Sequence, residues 1–140
     1  MNRKDFIRIS AIAVAGLTLG PAFLESCKKA NTGPQGPTVD FTLDLAVAAN
    51  AALNIVGGYI YSNGVIVARL SNADLGFIAL AQTCTHQGCT IAYDSNSVTF
   101  LCPCHGGQYN LNGDVIAGPP PNPVKKYSIT RSKNVLTIKG

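Results

Sequence analysis

From residue 39 onward, hydrophobic and polar positions alternate with a period of two. Val39, Phe41, Leu43 and Leu45 are interleaved with Asp40, Thr42 and Asp44, the pattern of a strand with one buried face. Residues 58–70 predict a hairpin: Tyr59, Ile60 and Tyr61 run into Asn63 and Gly64, and Val65, Ile66 and Val67 return. An Asn-Gly pair favours this turn because both residues tolerate positive φ. Residues 77–80 predict a short buried strand. Residues 91–93 and 98–101 predict two more, joined across Asp94, Ser95, Asn96 and Ser97. Asn112 and Gly113 mark a further turn, and residues 127–130 and 135–138 form a closing hairpin across Ser132, Lys133 and Asn134. Only the Ala-rich residues 44–54 offer a helix. No internal repeat interrupts this reading, so the expected fold is all-β, a small antiparallel sandwich or barrel.

The first thirty residues follow a different pattern. Arg3, Lys4 and Arg8 precede an apolar stretch over residues 9–24 that is broken by Gly16, Gly20 and Pro21, the layout of a secretory signal. That stretch is shorter than the roughly 20 residues a membrane-spanning helix needs, so a cleaved signal is expected. Leu24, Glu25, Ser26 and Cys27 resemble the lipobox of bacterial lipoproteins, which implies lipid attachment at Cys27. Arg3 and Lys4 followed by Phe6 and Ile7 also resemble a twin-arginine export signal. Residues 28–37 hold turn formers and little to bury, and read as a tether. The expected division is a signal over residues 1–26, a tether over 27–37 and one domain over 38–140, exported and held at the outer face of a bacterial membrane.

Composition narrows the function. The 140 residues carry a net charge of +4, with 13% charged and 46% hydrophobic residues, enough for one core and too few charges for a disordered chain. The surplus is small, Trp is absent, and no basic run is interleaved with aromatics, so nucleic acid is not an expected partner. Lys125, Lys126, Arg131, Lys133 and Lys139, with no acid after Asp114, form either a solvated face or a docking face for an acidic redox partner.

The chemistry is concentrated between residues 84 and 109. Four of the five cysteines and both histidines fall in two clusters. The first is Cys84, Thr85, His86, Gln87, Gly88, Cys89; the second is Cys102, Pro103, Cys104, His105, Gly106, Gly107. A metal site needs such concentration, because thiolates and imidazoles must converge. A Cys₂His₂ set can hold zinc, and structural zinc binding is one alternative. However, C-x-H, then fifteen intervening residues, then C-x-x-H resembles the ligand pattern of the Rieske iron-sulfur proteins. That resemblance implies one [2Fe-2S] cluster, with Cys84 and Cys102 on one iron and His86 and His105 on the other. It also implies a disulfide between Cys89 and Cys104, as in the high-potential branch. Such a bridge suits an oxidising compartment and would close a loop worth about 3 kcal/mol in a chain-entropy model.

Histidine ligation changes what the site does. Two thiolates, two sulfides and neutral imidazoles balance two ferric ions, so the electron enters a formally neutral site. This raises the potential to roughly −150 to +300 mV. The resemblance places Tyr109 where quinol-oxidising relatives bond a ligand thiolate. It places Gly107 where they carry a serine hydroxyl, whose loss lowers the expected potential. Gly118, Pro119, Pro120 and Pro121 resemble the stiff loop covering the cluster, with Pro119 as its contact residue. Both histidines are used by the motif, so none remains for a Ser-His-Asp triad or an oxygenase iron site; no catalytic residue is assigned. Two functions remain. One is an exported, membrane-tethered one-electron carrier serving a cytochrome or an oxidoreductase subunit. The other is the Rieske subunit of a quinol-oxidising complex of the bc type, with quinol as a further partner.

Overall fold

The computed structural model describes residues 33–140. The expected signal, Cys27 and the first part of the tether lie outside the described residues.

Ten strands form three antiparallel sheets. The first holds β1 (Asp40–Asp44), β10 (Val135–Lys139) and β9 (Ser128–Ser132), in that order. The second holds β2 (Tyr59–Ser62), β3 (Val65–Arg69) and β4 (Phe77–Ala81). The third runs β5 (Ala92–Asp94), β6 (Thr99–Cys102), β7 (Gly107–Tyr109) and β8 (Val115–Ala117). The all-β class expected from the alternation is the class observed. Asn63 and Gly64 join β2 to β3 with φ of 51° and 78°, the doubly left-handed turn that their identities favour.

β3 and β4 form the centre of the core. Every residue in both strands is buried, so neither strand has a solvent face and the alternation gives way to continuous apolar runs. β4 also bonds the segment leading into β9: Ala81 N donates to Lys125 O over 2.8 Å and Tyr127 N to Ala79 O over 3.0 Å. Leu80, Ile66, Phe100, Leu136 and Ile138 are sealed completely. Each contributes about 2–3 kcal/mol by burial, and Leu136→Ala would cost about 2–5 kcal/mol through the cavity it leaves.

Three local features differ from the expected pattern. The Ala-rich stretch forms a 3-10 helix over Ala48–Asn54, with Leu53 as its buried residue. One buried side chain cannot define an α-helical face, and Asn50 and Asn54 instead donate to the carbonyls of Asp44 and Leu45. β7 and β8, three residues each, are too short to register as a period. Val98 lies outside β6, in the preceding turn, with φ of 55°.

The end of the expected tether lies on the domain. Gln35 pairs in parallel with Val124, Lys125 N donates to Gln35 O over 2.8 Å, and Tyr127 Oη donates to Pro37 O over 2.7 Å. Turn-forming composition marked the segment as unable to form its own core; it did not register that edge backbone groups elsewhere would bind it.

Candidate metal centre

Two loops with the same local design carry the Cys/His clusters. In the first, between β4 and β5, Gly88 N donates to Cys84 O over 3.0 Å. In the second, between β6 and β7, Gly106 N donates to Cys102 O over 3.0 Å. Each turn therefore closes on a glycine four residues after the cysteine, at φ of 78° and 71°. Nothing lies within 4 Å of a Cβ placed at either glycine, so the backbone angle, not space, demands glycine there. The first loop is further closed by Cys84 N to Cys89 O at 2.7 Å and by the Thr83–Thr90 bridge.

This winding aims backbone donors at sulfur. The amides of His86 and Gln87 serve Cys84, and those of Cys104 and His105 serve Cys102. Burial pushes the Cys84 thiol up, but the Tyr109 hydroxyl and those amides outweigh it, so Cys84 ionises below the ordinary thiol range. Burial and the neighbouring Cys84 push Cys102 up despite its own amides. Both are free cysteines, each 2% exposed. Cys89 and Cys104 form the expected disulfide, with Cα atoms 6.5 Å apart, and tie the two loops together.

The imidazoles meet on the outer side. His86 Nδ1 and His105 Nδ1 are 3.2 Å apart, their rings nearly perpendicular at 86°, and His105 is exposed. A metal bound by both Nδ1 atoms would need the ring protons on Nε2. Nitrogens bound at about 2.0–2.1 Å to one tetrahedral metal stand roughly 3.4 Å apart, close to the observed spacing.

A third loop completes the site. Tyr109 is fully buried and its Oη donates to Cys84 Sγ over 3.3 Å. Thr85 N donates to that oxygen over 3.1 Å. Burial first, then the adjacent Cys84, push the Tyr109 pKa up to about 12, so the phenol remains a donor. Thr85 Oγ1 donates to Asn122 O over 2.7 Å, joining the first cluster loop to the proline loop. Within that loop Pro120, not Pro119, is buried, and a Cβ at Gly107 would lie 2.5 Å from Pro120 Cγ. Gly107 therefore does more than omit a hydroxyl: the proline ring occupies the side-chain position. Thr85 and Asn122 were the site residues least visible in the sequence, since they lie 37 positions apart. The repeated C-x-x-x-G of the two loops was the available local signal for their shared turn.

Among the described residues, no three Cys, His, Asp or Glu side chains converge on a single point. The donors come as a buried thiol pair and a surface imidazole pair. One zinc ion would need all four around it, whereas a binuclear cluster takes one pair at each metal. The donor set thus fits a [2Fe-2S] group, which supplies one-electron chemistry when bound.

A β-domain with two disulfide-linked loops that offer such paired donors is an iron-sulfur electron-transfer domain. The model of the Rieske [2Fe-2S] domain matches residues 47–128. The chain belongs to the Rieske family and carries one Rieske-type [2Fe-2S] cluster. It is 49% identical over 51 residues to the cytochrome b6-f complex iron-sulfur subunit of Prochlorococcus marinus strain MIT 9515, a match covering 36% of this chain and 29% of that subunit. Less than a third of that relative's length is therefore matched. Among solved structures, the plasma membrane Rieske protein PetC3 from Synechocystis PCC 6803 is 26% identical with a TM-score of 0.54, over 70% of this chain and 99% of that one. A chain of a hyperthermophilic respiratory Complex III is 27% identical with a TM-score of 0.51, over 82% of each chain.

Proposed function

We propose that Cys84 and Cys102 hold the inner iron and His86 and His105 the outer iron, in an exported one-electron carrier tethered to a membrane through a lipid on Cys27. The carrying observation is the polarity of the site. Both cysteines are 2% exposed, while the two imidazoles pair at 3.2 Å next to solvent. An electron partner, a cytochrome or an oxidoreductase subunit, would approach the histidine side. The disulfide and Pro120 keep the loops closed, Tyr109 steadies Cys84, and the backbone amides offset negative charge on the sulfurs. The plasma membrane protein PetC3 supports a membrane-side location.

A second reading is a Rieske subunit within a quinol-oxidising complex. The names of the b6-f subunit and the Complex III chain favour it, as does the Tyr109 bond to Cys84.

EPR of the dithionite-reduced full chain tests the cluster and its ligands. The expected result is a rhombic [2Fe-2S] signal with average g below the free-electron value, lost on His86→Ala or His105→Ala. Zinc in place of iron, with no signal, overturns the electron-transfer reading. Mass spectrometry of membrane-extracted protein tests the tether: a lipidated Cys27 as first residue supports it, and an intact N-terminus overturns it. Cluster-dependent oxidation of added quinol by the isolated assembly would favour the second reading.

A further inference from the structure

At the end of β4 away from the metal centre lies a buried arginine with no carboxylate partner among the described residues. β4 runs from Phe77 to Ala81 and the chain continues to Cys84, so Phe77 lies about 13 Å from the end of the strand that leads into the first cluster loop. Arg69, the last residue of β3, pairs with Phe77 and is only 9% exposed. Its guanidinium carbon lies 4.3 Å from the Phe77 ring centroid, and its Nε is buried without a hydrogen-bond partner. Arg131 lies 5.9 Å from the same ring, but its donors are engaged. It bonds the Asp74 carboxylate at 3.1 Å, the Asp74 carbonyl at 3.1 Å and the Lys133 carbonyl at 2.7 Å. Among the described residues Asp74 thus serves Arg131, and Arg69 has no carboxylate. An aromatic face attracts a guanidinium but accepts none of its forked hydrogen bonds; a carboxylate accepts two.

The surroundings indicate where that carboxylate would come from. Val47, Ile55, Val56, Leu75 and Val98 are five of the seven large apolar side chains exposed among the described residues, and all five sit on loops at this pole. Gly57 N donates to Arg69 O and Arg69 N to Gly58 O, which places the loop of Ile55 and Val56 beside Arg69. Gly57 in turn abuts Ser95, in the turn that carries Val98. Leu75 adjoins Asp74, the partner of Arg131. The bond from Leu45 N to Asn134 O holds the segment of Val47 beside the β9–β10 turn.

We propose that this pole is a docking surface for a partner protein that presents a carboxylate to Arg69 from within an apolar patch. An arginine inside an apolar collar has the composition of an interface hot spot. Asp44, Asp74 and Asp94 at the same end are balanced by Arg69, Arg131 and Lys133, so the patch has no excess of positive charge for an anionic lipid face. A partner held here leaves the histidine side of the metal centre free, so one protein can position the domain while another exchanges electrons.

The test is to pan a random peptide library against the immobilised full-length holoprotein. Enriched peptides should carry Asp, Glu or a free C-terminal carboxylate beside apolar residues. Their binding should fall at least tenfold with Arg69→Gln and with Leu75→Ser, while the EPR signal of the cluster stays unchanged. Leu75 is 61% exposed, so its variant keeps the test valid if Arg69→Gln fails to fold. Enrichment of peptides without a carboxylate, or binding indifferent to Leu75→Ser, overturns the proposal. So does association with phosphatidylglycerol vesicles, or self-association in sedimentation, that the same substitutions abolish.

Discussion

The phenolic hydroxyl of Tyr109 donates to the Sγ of Cys84 across 3.3 Å, joining two residues 25 positions apart. Thr85 N holds the same oxygen from the other side at 3.1 Å, so the phenol is fixed against the sulfur. With Cys84 as a cluster ligand, as proposed above, a donor on its thiolate favours the more negative, reduced state. Tyr109→Phe is therefore expected to lower the reduction potential by about 40–60 mV, close to a tenfold change in the equilibrium. The EPR-monitored redox titration of the variant checks this, and an unchanged midpoint would show that the bond has no effect on the redox equilibrium.

Gly107 has no room for a side chain. A Cβ there would lie 2.5 Å from Pro120 Cγ and 2.9 Å from Pro120 Cδ, and Pro120 is buried. Gly107→Ala should push the proline loop outward at a cost of about 1–3 kcal/mol. The expected outcome is a lower melting temperature and less iron per chain, measured by calorimetry and metal analysis. Gly107→Ala with Pro120→Ala should recover part of both losses.

Val98 is a β-branched residue at φ of 55°, a conformation that crowds its branched Cβ against the backbone. It is 47% exposed, so little packing compensates for that strain. Val98→Asn should raise stability by about 1 kcal/mol, read as a higher midpoint in urea with an unchanged slope.

Alkali should weaken the fold through its buried tyrosines. Burial raises the Tyr127 pKa above the ordinary tyrosine value, near 10. Above that value the unfolded chain loses this proton first, so stability is complete below about pH 10 and declines as pH rises through the folded pKa. Tyr127→Phe removes the bond to Pro37 O. The substitution should cost about 1 kcal/mol at neutral pH and make the alkaline decline shallower, in urea melts collected across pH 8–12.

Much of the fold was readable because its determinants are local. Asn63-Gly64 marked a turn through φ preferences that belong to the two residues themselves, and alternation placed β1, β9 and β10. It failed where local pattern carries no information: β7 and β8 are three residues long, and β7 depends on β6, and β8 on β7, being beside it. Likewise, Gln35 reads as tether composition, and only the backbone of residues 123–125 gives it a place.

The sequence by itself determined the chemistry of this protein. Cys84, His86, Cys102 and His105 are soft donors in two short loops, and the resemblance of their spacing to the Rieske pattern implied the group they suit without any coordinates. The pairing of Cys89 with Cys104 came with that resemblance. The tertiary structure decided what surrounds and tunes those donors. The Tyr109 bond to Cys84, the Thr85 tie to Asn122, the fit of Pro120 over Gly107 and the isolation of Arg69 against Phe77 all depend on chain segments distant in sequence. Such contacts arise from packing, in which a side chain's neighbours are set by the fold of the whole domain rather than by adjacent residues.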